Sequence, residues 1–226
     1  MSDLAGPEDT RSYTPALGKA WLTPFYDSAI GLLTRERTWR SALVHEASLT
    51  PEDRLIDIGS GTGSLLRDMK ISCPQARLIG VEPDPGVLAI AKRKLGRAAE
   101  LIRWHNGFFD SLSLNDGQAP NKIVSSLVFH QVPMEQKRAI LQQMHSLLQP
   151  GGMVLIADYM RQESSVMRAL FRATVQQLDG IKDTQPNADG IMEQMLVEIF
   201  HDAEKLHTFR TATGAISLWR GYKEES

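Results

Sequence analysis

Leu55-Ile56-Asp57-Ile58-Gly59-Ser60-Gly61-Thr62-Gly63-Ser64-Leu65-Leu66 is the stretch on which the fold turns. A short apolar run, broken only by Asp57, enters a turn with glycine at every second position and leaves it into an amphipathic segment. The run predicts a strand over 54–58 and the exit predicts a helix over 64–71. The glycines reach backbone angles closed to other residues and let a ligand approach the main chain. Asp57 sits at the strand end, where a carboxylate orients water or accepts from a cationic amine. A plain strand-to-helix turn capped by Thr62 is the competing account, and the surrounding sequence argues against it.

Downstream the same alternation continues. Strand-like runs at 77–81, 100–104, 122–129 and 153–159 are separated by helix candidates at 85–96 and 134–148. The latter carries Ile140, Leu141, Met144, Leu147 and Leu148 at helical spacing. Alternating strands and helices imply a parallel sheet covered on both faces. Right-handed crossovers then bring the strand ends, and any ligand, to one edge. After Tyr159 the alternation stops. A helix is expected over 163–179, a polar turn segment over 180–189 with Asn187-Ala188-Asp189-Gly190, and a helix over 191–200. The runs 206–213 and 215–222 around Gly214 predict a terminal antiparallel hairpin. Upstream, 16–46 reads as two or three helices broken at Pro24. The region holds Trp21, Phe25, Tyr26 and Trp39, with Tyr13 just before it. The chain thus divides into an N-terminal arm and helical lid, 1–50, and an α/β domain, 51–226, in one structural unit.

A chain of 226 residues fits one such unit. The formal net charge of -2 argues against a polybasic nucleic-acid binder and against an acidic disordered chain. A single cysteine, Cys73, excludes an internal disulfide and a Cys-rich zinc site, and suits a reducing compartment. No His/Asp/Glu cluster has metal-ligand spacing, so no metal is expected. Residues 1–10 lack a secretory layout, and no apolar run reaches the ~20 residues of a membrane span. A cytoplasmic protein is expected. The second acidic signal is Glu82, at the end of the next strand and nineteen positions after Gly63. An acid there takes both hydroxyls of a ribose; its alternative is a solvated strand-end carboxylate.

Three segments together, Asp57-Ile58-Gly59-Ser60-Gly61-Thr62-Gly63, Val81-Glu82-Pro83-Asp84 and Leu147-Leu148-Gln149-Pro150-Gly151-Gly152, resemble the class I S-adenosylmethionine-dependent methyltransferases. The branch most similar in texture includes the ubiquinone/menaquinone-biosynthesis C-methyltransferases and small-molecule methyltransferases. The resemblance covers about 51–159 by motif and implies a Rossmann-like seven-stranded sheet. That sheet would be mostly parallel, with an antiparallel last strand, helices on both faces and an N-terminal helical lid. It also implies S-adenosylmethionine as cofactor and S-adenosylhomocysteine as product. Asp57, Gly59, Ser60 and Gly61 would hold the methionine end, Glu82 the ribose, and Pro83 or Asp84 would flank the adenine. The family usually places an acid after the third strand for the adenine amine. Here Gly107 stands in that place, and Phe108 would supply main-chain hydrogen bonding and stacking instead. Ser126 and Leu127, at the fourth strand's end, would face the methionine part and the substrate. A nicotinamide or flavin fingerprint is nearly met by Gly59-x-Gly61-x-x-Ser64. Asp57, Gly63 and the Pro-Gly-Gly turn favour the methyl donor.

For chemistry, His130 is the candidate base or substrate-positioner, against a histidine bonded to backbone at a helix entry. Asp158 and Tyr159 end the fifth strand on the same edge, with strand-end packing as the alternative. Tyr13 and Tyr26 are candidates to close over the cofactor as a lid, against a surface position for Tyr13 and a core position for Tyr26. His145, His201 and His207 read as structural. Met160, Met167, Met192 and Met195, with Leu170, Phe171 and Leu196, either roof an apolar substrate pocket or pack as plain helices. The expected activity is methyl transfer to a small organic molecule, with the O-, N- or C-acceptor open. Two alternatives stand beside it: a non-catalytic or regulatory S-adenosylmethionine-binding relative, and a quinone-precursor C-methyltransferase. A nucleic-acid partner is not expected, since Ser126-Leu127-Val128-Phe129 lacks an Asn-Pro-Pro-Tyr/Phe type motif. A monomer or homodimer is expected.

Overall fold

In the computed structural model, which describes residues 33–114 and 117–225, the seven strands are β1 (Arg54–Ile58), β2 (Arg77–Glu82), β3 (Ile102–Asn106), β4 (Lys122–Ser126), β5 (Met153–Tyr159), β6 (His201–Thr211) and β7 (Gly214–Tyr222). They pair in the order β3-β2-β1-β4-β5-β7-β6. β1 to β5 run parallel, and β7 is antiparallel to both β5 and β6. The expected sheet, with its antiparallel end, is the one observed. Strand order reverses between β1 and β4, whose ends lie side by side with Ile58 opposite Ser125. A crevice at such a reversal is where open α/β sheets take ligands.

Both faces of the sheet are buried, which is why β1 and β5 read as apolar runs rather than alternating ones. All seven residues of β5 are buried. One face packs Leu55, Leu78, Val124 and Leu155 against α1 (Glu36–Ala47) and α2 (Ser64–Ser72), through Trp39, Leu43, Leu66 and Met69. The other packs Ile56, Ile79, Ile123 and Ile156 against Leu141 and Met144 of α4 (Met134–Leu147). Between β2 and β3 runs α3 (Pro85–Leu95). Asp84 caps it by accepting from the N–H groups of Gly86 and Val87, and Pro85 takes the first turn. Tyr13 and Tyr26 lie outside the described residues, as does Pro24.

The region after β5 departs from the sequence expectation. The helix expected over 163–179 is two, α5 (Ser165–Ala173) and α6 (Val175–Asp179), separated at Thr174 with φ -119 and ψ -79. The Thr174 hydroxyl donates to the carbonyl of Leu170 at 2.7 Å and of Thr213 at 3.3 Å, which draws the backbone out of helical shape. The expected polar turn is instead a helix, α7 (Ile181–Asp189), despite Pro186 inside it. Tertiary bonds outweigh the missing N–H of proline. Lys137 Nζ donates to the carbonyl of Asp183 at 2.6 Å and to Asn187 Oδ1 at 2.7 Å, and Asn187 Nδ2 donates to the carbonyl of Tyr159 at 2.8 Å. The turn chemistry at 187–190 is the end of this helix, closed by Gly190 at φ 93. Then α8 (Ile191–Ile199) leads into β6, which starts at His201, five residues before the expected strand. β6 is an edge strand with register shifts and mostly exposed side chains, so it carries little apolar signal.

Candidate cofactor site

The glycine turn is latched to β2. The N–H groups of Gly59 and Ser60 both donate to the carbonyl of Val81, at 2.9 and 3.0 Å. Gly59 has φ +70, and a Cβ there would lie 2.3 Å from Cγ2 of Val128. No side chain fits between the turn and the end of β4. Gly61, at φ +52, is the opposite case: a Cβ there would meet nothing within 4 Å. It faces a cavity of about 460 Å³ at the sheet's reversal point. Gly59, Ser60, Gly61, Glu82, Ser126 and Leu127 line one part of that cavity.

Glu82 is buried, and its two carboxylate oxygens accept from the N–H groups of Gly61 and Asp84, each at 3.0 Å. Burial raises its pKa, and those two bonds oppose the rise. The bonds fix the carboxylate and leave lone pairs for a ligand's hydroxyls. Asp57 is different. It is buried behind the turn rather than on the cavity wall, and neither carboxylate oxygen has a partner among the described residues. Burial, then the charge of Glu82, pushes its carboxyl well above the usual carboxylate range. Ser60 Oγ is also buried without a partner. Buried polar atoms are nearly always bonded, so three orphaned oxygens at one strand end mark a place built to meet something polar. A ligand carrying a cationic amine over the Gly61 cradle satisfies that chemistry.

At the far side of β2, Pro83 lines the cavity, while Asp84 is spent on capping α3. Gly107 also lines it, and the structure gives the reason that no acid stands there. A Cβ at Gly107 would lie 2.8 Å from Ser111 Oγ and 2.9 Å from His105 Nε2, which are themselves hydrogen-bonded at 2.9 Å. Phe108 is on the wall as expected, and so is Asp110, three residues past the expected position. Sequence reasoning passed over Asp110 because a short 3₁₀ turn, Phe109–Ser111, carries it back to the cavity.

His130 and Asp158 need correction as reacting groups. β4 ends at Ser126, not at 129, and Leu127 takes a left-handed φ of 55. That turn carries Phe129–Gln131 into the interior, so neither His130 nor Asp158 lines the cavity. The His130 ring is buried; Nδ1 lies 2.7 Å from Asp158 Oδ1 and Nε2 lies 3.5 Å from Asp179 Oδ2. Burial favours the neutral ring, but the Asp158 and Asp179 carboxylates outweigh it and raise the pKa to about 9. An imidazolium with both nitrogens occupied has no lone pair with which to take a proton from substrate.

None of the seven residues named in the methionine-rich segment lines the cavity, and five of them pack in the core. Met160, Met192, Met195 and Leu196 belong to the core on the α4 side, and Phe171 to the other. The cavity is instead extended by α4, through Gln136, Ala139, Ile140 and Gln143, and by Trp39 of α1. Positions 136, 139, 140 and 143 form one helical face. Its mixed amide and apolar character gave no separate signal beside the core-facing Leu141 and Met144.

Fold and site together define a Rossmann-like domain built to hold an adenosyl cofactor with a cationic amine. Residues 55–152 match the family described as "Methyltransferase domain". Two curated relatives are similar to the chain. The ubiquinone/menaquinone biosynthesis C-methyltransferase UbiE of Syntrophotalea carbinolica is 27% identical over 153 residues, 67% of this chain and 63% of that protein. The demethylmenaquinone methyltransferase of Deinococcus radiodurans is 28% identical over 155 residues, 68% of this chain and 63% of that protein. The chain therefore spans less than two thirds of the length of either. Among solved structures, the N-methyltransferase NodS of Bradyrhizobium japonicum WM9 in complex with S-adenosyl-l-homocysteine shares the fold. Its TM-score is 0.61 at 18% identity, over 84% of this chain and 87% of that one. Among the described residues, no helix is long and apolar enough to cross a membrane, and no group of three or more His, Cys, Asp or Glu is placed to hold a metal ion.

Proposed function

We propose that this chain transfers the methyl group of S-adenosylmethionine to a small organic acceptor. The observation that carries the reading is the set of orphaned oxygens of Asp57 and Ser60 beneath the open Gly61 cradle, beside a Glu82 carboxylate already fixed by two N–H groups. Ser60 and the Gly59–Gly61 main chain would receive the methionine end, with Asp57 supplying negative field from behind. Glu82 would accept from the ribose hydroxyls. Pro83, Gly107 and Phe108 would border the adenine, with Asp110 in place of the usual acid. Ser126 and Leu127 would face the reacting centre.

When bound, the cofactor supplies a methyl whose leaving group is a neutral thioether. The protein's task is then alignment and exclusion of water, which lowers the barrier by several kcal/mol. On the acceptor side, Gln131, Gln136 and Gln143 offer amides among Val132, Ala139 and Ile140. They orient a polar group on a largely apolar molecule. The helical lid of 1–50 is part of this reading. Its described portion, α1, places Glu36, Trp39 and Arg40 on the cavity wall; Tyr13 lies outside the described residues. A net charge of -2 favours a small acceptor over a nucleic acid, and the protein is taken as a cytoplasmic monomer or homodimer. A second reading, C-methylation of a quinone precursor, is favoured by the names of the two relatives and by the apolar stretch of the cavity wall.

Calorimetric titration with S-adenosylmethionine, S-adenosylhomocysteine and NADH tests the first step. Binding of the adenosyl pair alone is expected, and binding of NADH alone overturns the reading. A labelled-methyl screen over phenols, amines, thiols and quinols then finds the acceptor. Binding with no transfer to any of them favours the regulatory alternative.

A further inference from the structure

We propose that His130, clamped between Asp158 and Asp179, is a positioning residue that holds the 127–133 turn in the shape the cofactor loop requires. The proposal rests on the cofactor reading above, because the loop is the one assigned to the methionine end.

The chain of contacts is continuous. Asp158 accepts from the N–H groups of Val128 at 2.9 Å, Phe129 at 2.7 Å and Tyr159 at 2.7 Å, and from His130 Nδ1 at 2.7 Å. Three of those four donors belong to the turn itself. Val128, fixed by the first bond, is the residue whose side chain stands against Gly59 with no room to spare. Leu127 holds a left-handed backbone, a strained shape for a branched side chain that only its surroundings maintain. Its N–H donates to the carbonyl of Ala157 at 2.9 Å, beside Asp158. Release of Asp158 therefore frees Val128 to press on the glycine turn and lets Leu127 relax.

His130 links this arrangement to the helices beyond β5. Its Nε2 faces Asp179 at the end of α6, and its ring meets Tyr159 edge-on at 5.1 Å. The charged and titratable groups around it are Asp158 and Tyr159 from β5, Asp179 from α6, Lys137 from α4, and Asp183 from α7 behind Lys137. A cationic ring between two carboxylates completes both; a neutral ring leaves one of them unanswered. The clamp is thus closed while His130 holds its second proton and opens when it loses it.

The test uses Asp179→Asn, a half-buried position off the cavity wall, and reads the affinity for S-adenosylhomocysteine by calorimetry from pH 6 to pH 10. Removing one carboxylate lowers the pH at which His130 gives up its proton. The ratio of variant to wild-type affinity, which cancels the titration of the ligand's own amine, is expected near one at pH 6. It should fall several-fold by pH 8.5 and approach one again where the wild-type ring is also neutral. A ratio that stays at one at every pH overturns the clamp, and so does a loss equal at every pH, which is the mark of a merely structural role. His130→Gln extends the test: its affinity should show no pH-dependent step beyond that of the ligand. If the wild-type protein itself binds no S-adenosylhomocysteine, the cofactor reading fails first and the clamp fails with it.

Discussion

Two aspartates stand next to last in β1 and β5, strands of one sheet with β4 between them, and they are treated in opposite ways. Asp57 is buried with both oxygens unanswered among the described residues. Asp158 is buried with four hydrogen bonds from Val128, Phe129, Tyr159 and His130. Equal burial makes the desolvation cost similar, so the difference lies in who supplies the compensation. For Asp158 the chain supplies it, and the residue is scaffold. For Asp57 no described residue supplies it, and on the proposed reading a ligand does. A saturated carboxylate rigidifies its surroundings, whereas an unsatisfied one stores a cost that binding removes.

The largest expected effect tests the site half of this contrast. Gly61→Val should abolish S-adenosylhomocysteine binding by calorimetry, because the side chain fills the cradle and the φ of +52 disfavours any branched residue. The fold should survive, since nothing packs at that spot. Unchanged affinity would mean that the ligand sits elsewhere. Next comes the scaffold half. Asp158→Ala leaves the His130 and Lys137 cations and three N–H groups without their carboxylate, so urea unfolding should show a loss of about 3–5 kcal/mol. A loss below about 1 kcal/mol would show that water replaces the carboxylate and that the contrast with Asp57 is one of degree.

The two halves were not equally legible in sequence. Around Asp57 the decisive features are local: an apolar strand, glycines forced by backbone angle and close approach, and an acid at the end of β2. Around Asp158 they are not. Lys137, Asn187 and Asp179 lie on three helices, and only tertiary bonds bring them together. The helix α7 exists in spite of Pro186 because Lys137 and Asn187 tie it down, which propensity cannot reveal. The sequence places His130 at the mouth of β4, and the structure turns it away from the cavity. A single left-handed residue, Leu127, turns it from the cavity to the core, and nothing about a leucine announces such a backbone. The missing acid at Gly107 was visible as an absence, but its cause, the His105–Ser111 pair, was visible only in three dimensions.

Asp57→Asn sharpens the comparison at smaller scale. It removes the charge from a buried, unpartnered group, so S-adenosylhomocysteine binding should weaken by about 1–3 kcal/mol while the ligand-free protein gains stability. The gain has a definite sign with pH. A carboxyl whose folded pKa is raised costs nothing below the ordinary carboxylate range. The cost grows as pH rises from there and is complete above the raised value. The variant should therefore match the wild type at pH 4 and exceed it at pH 8, by thermal denaturation at both. A variant less stable at pH 8 would mean that Asp57 already has a partner, and the opposition of the two aspartates would collapse.

The smallest effect per step of pH belongs to the scaffold. His130 has its pKa raised from 6.5 to about 9, so its stabilisation is full below 6.5 and is lost as pH rises through about 9. Lys137 runs the other way. Burial lowers its pKa from 10.5 to about 8, although Asp158 and Asp183 oppose this, so stability is regained as pH rises from about 8 to 10.5. Each contributes a slope of at most about 1.4 kcal/mol per pH unit, and between 8 and 9 the two oppose one another. Urea unfolding of wild type and His130→Gln across this range isolates the histidine. The stability difference should be flat below pH 6.5, shrink steadily to about pH 9, and be flat again beyond. A difference that is constant throughout would mean that His130 is neutral in the fold. The neutral ring would still donate from Nδ1 to Asp158, so the four hydrogen bonds would stand and the contrast with Asp57 would owe nothing to charge.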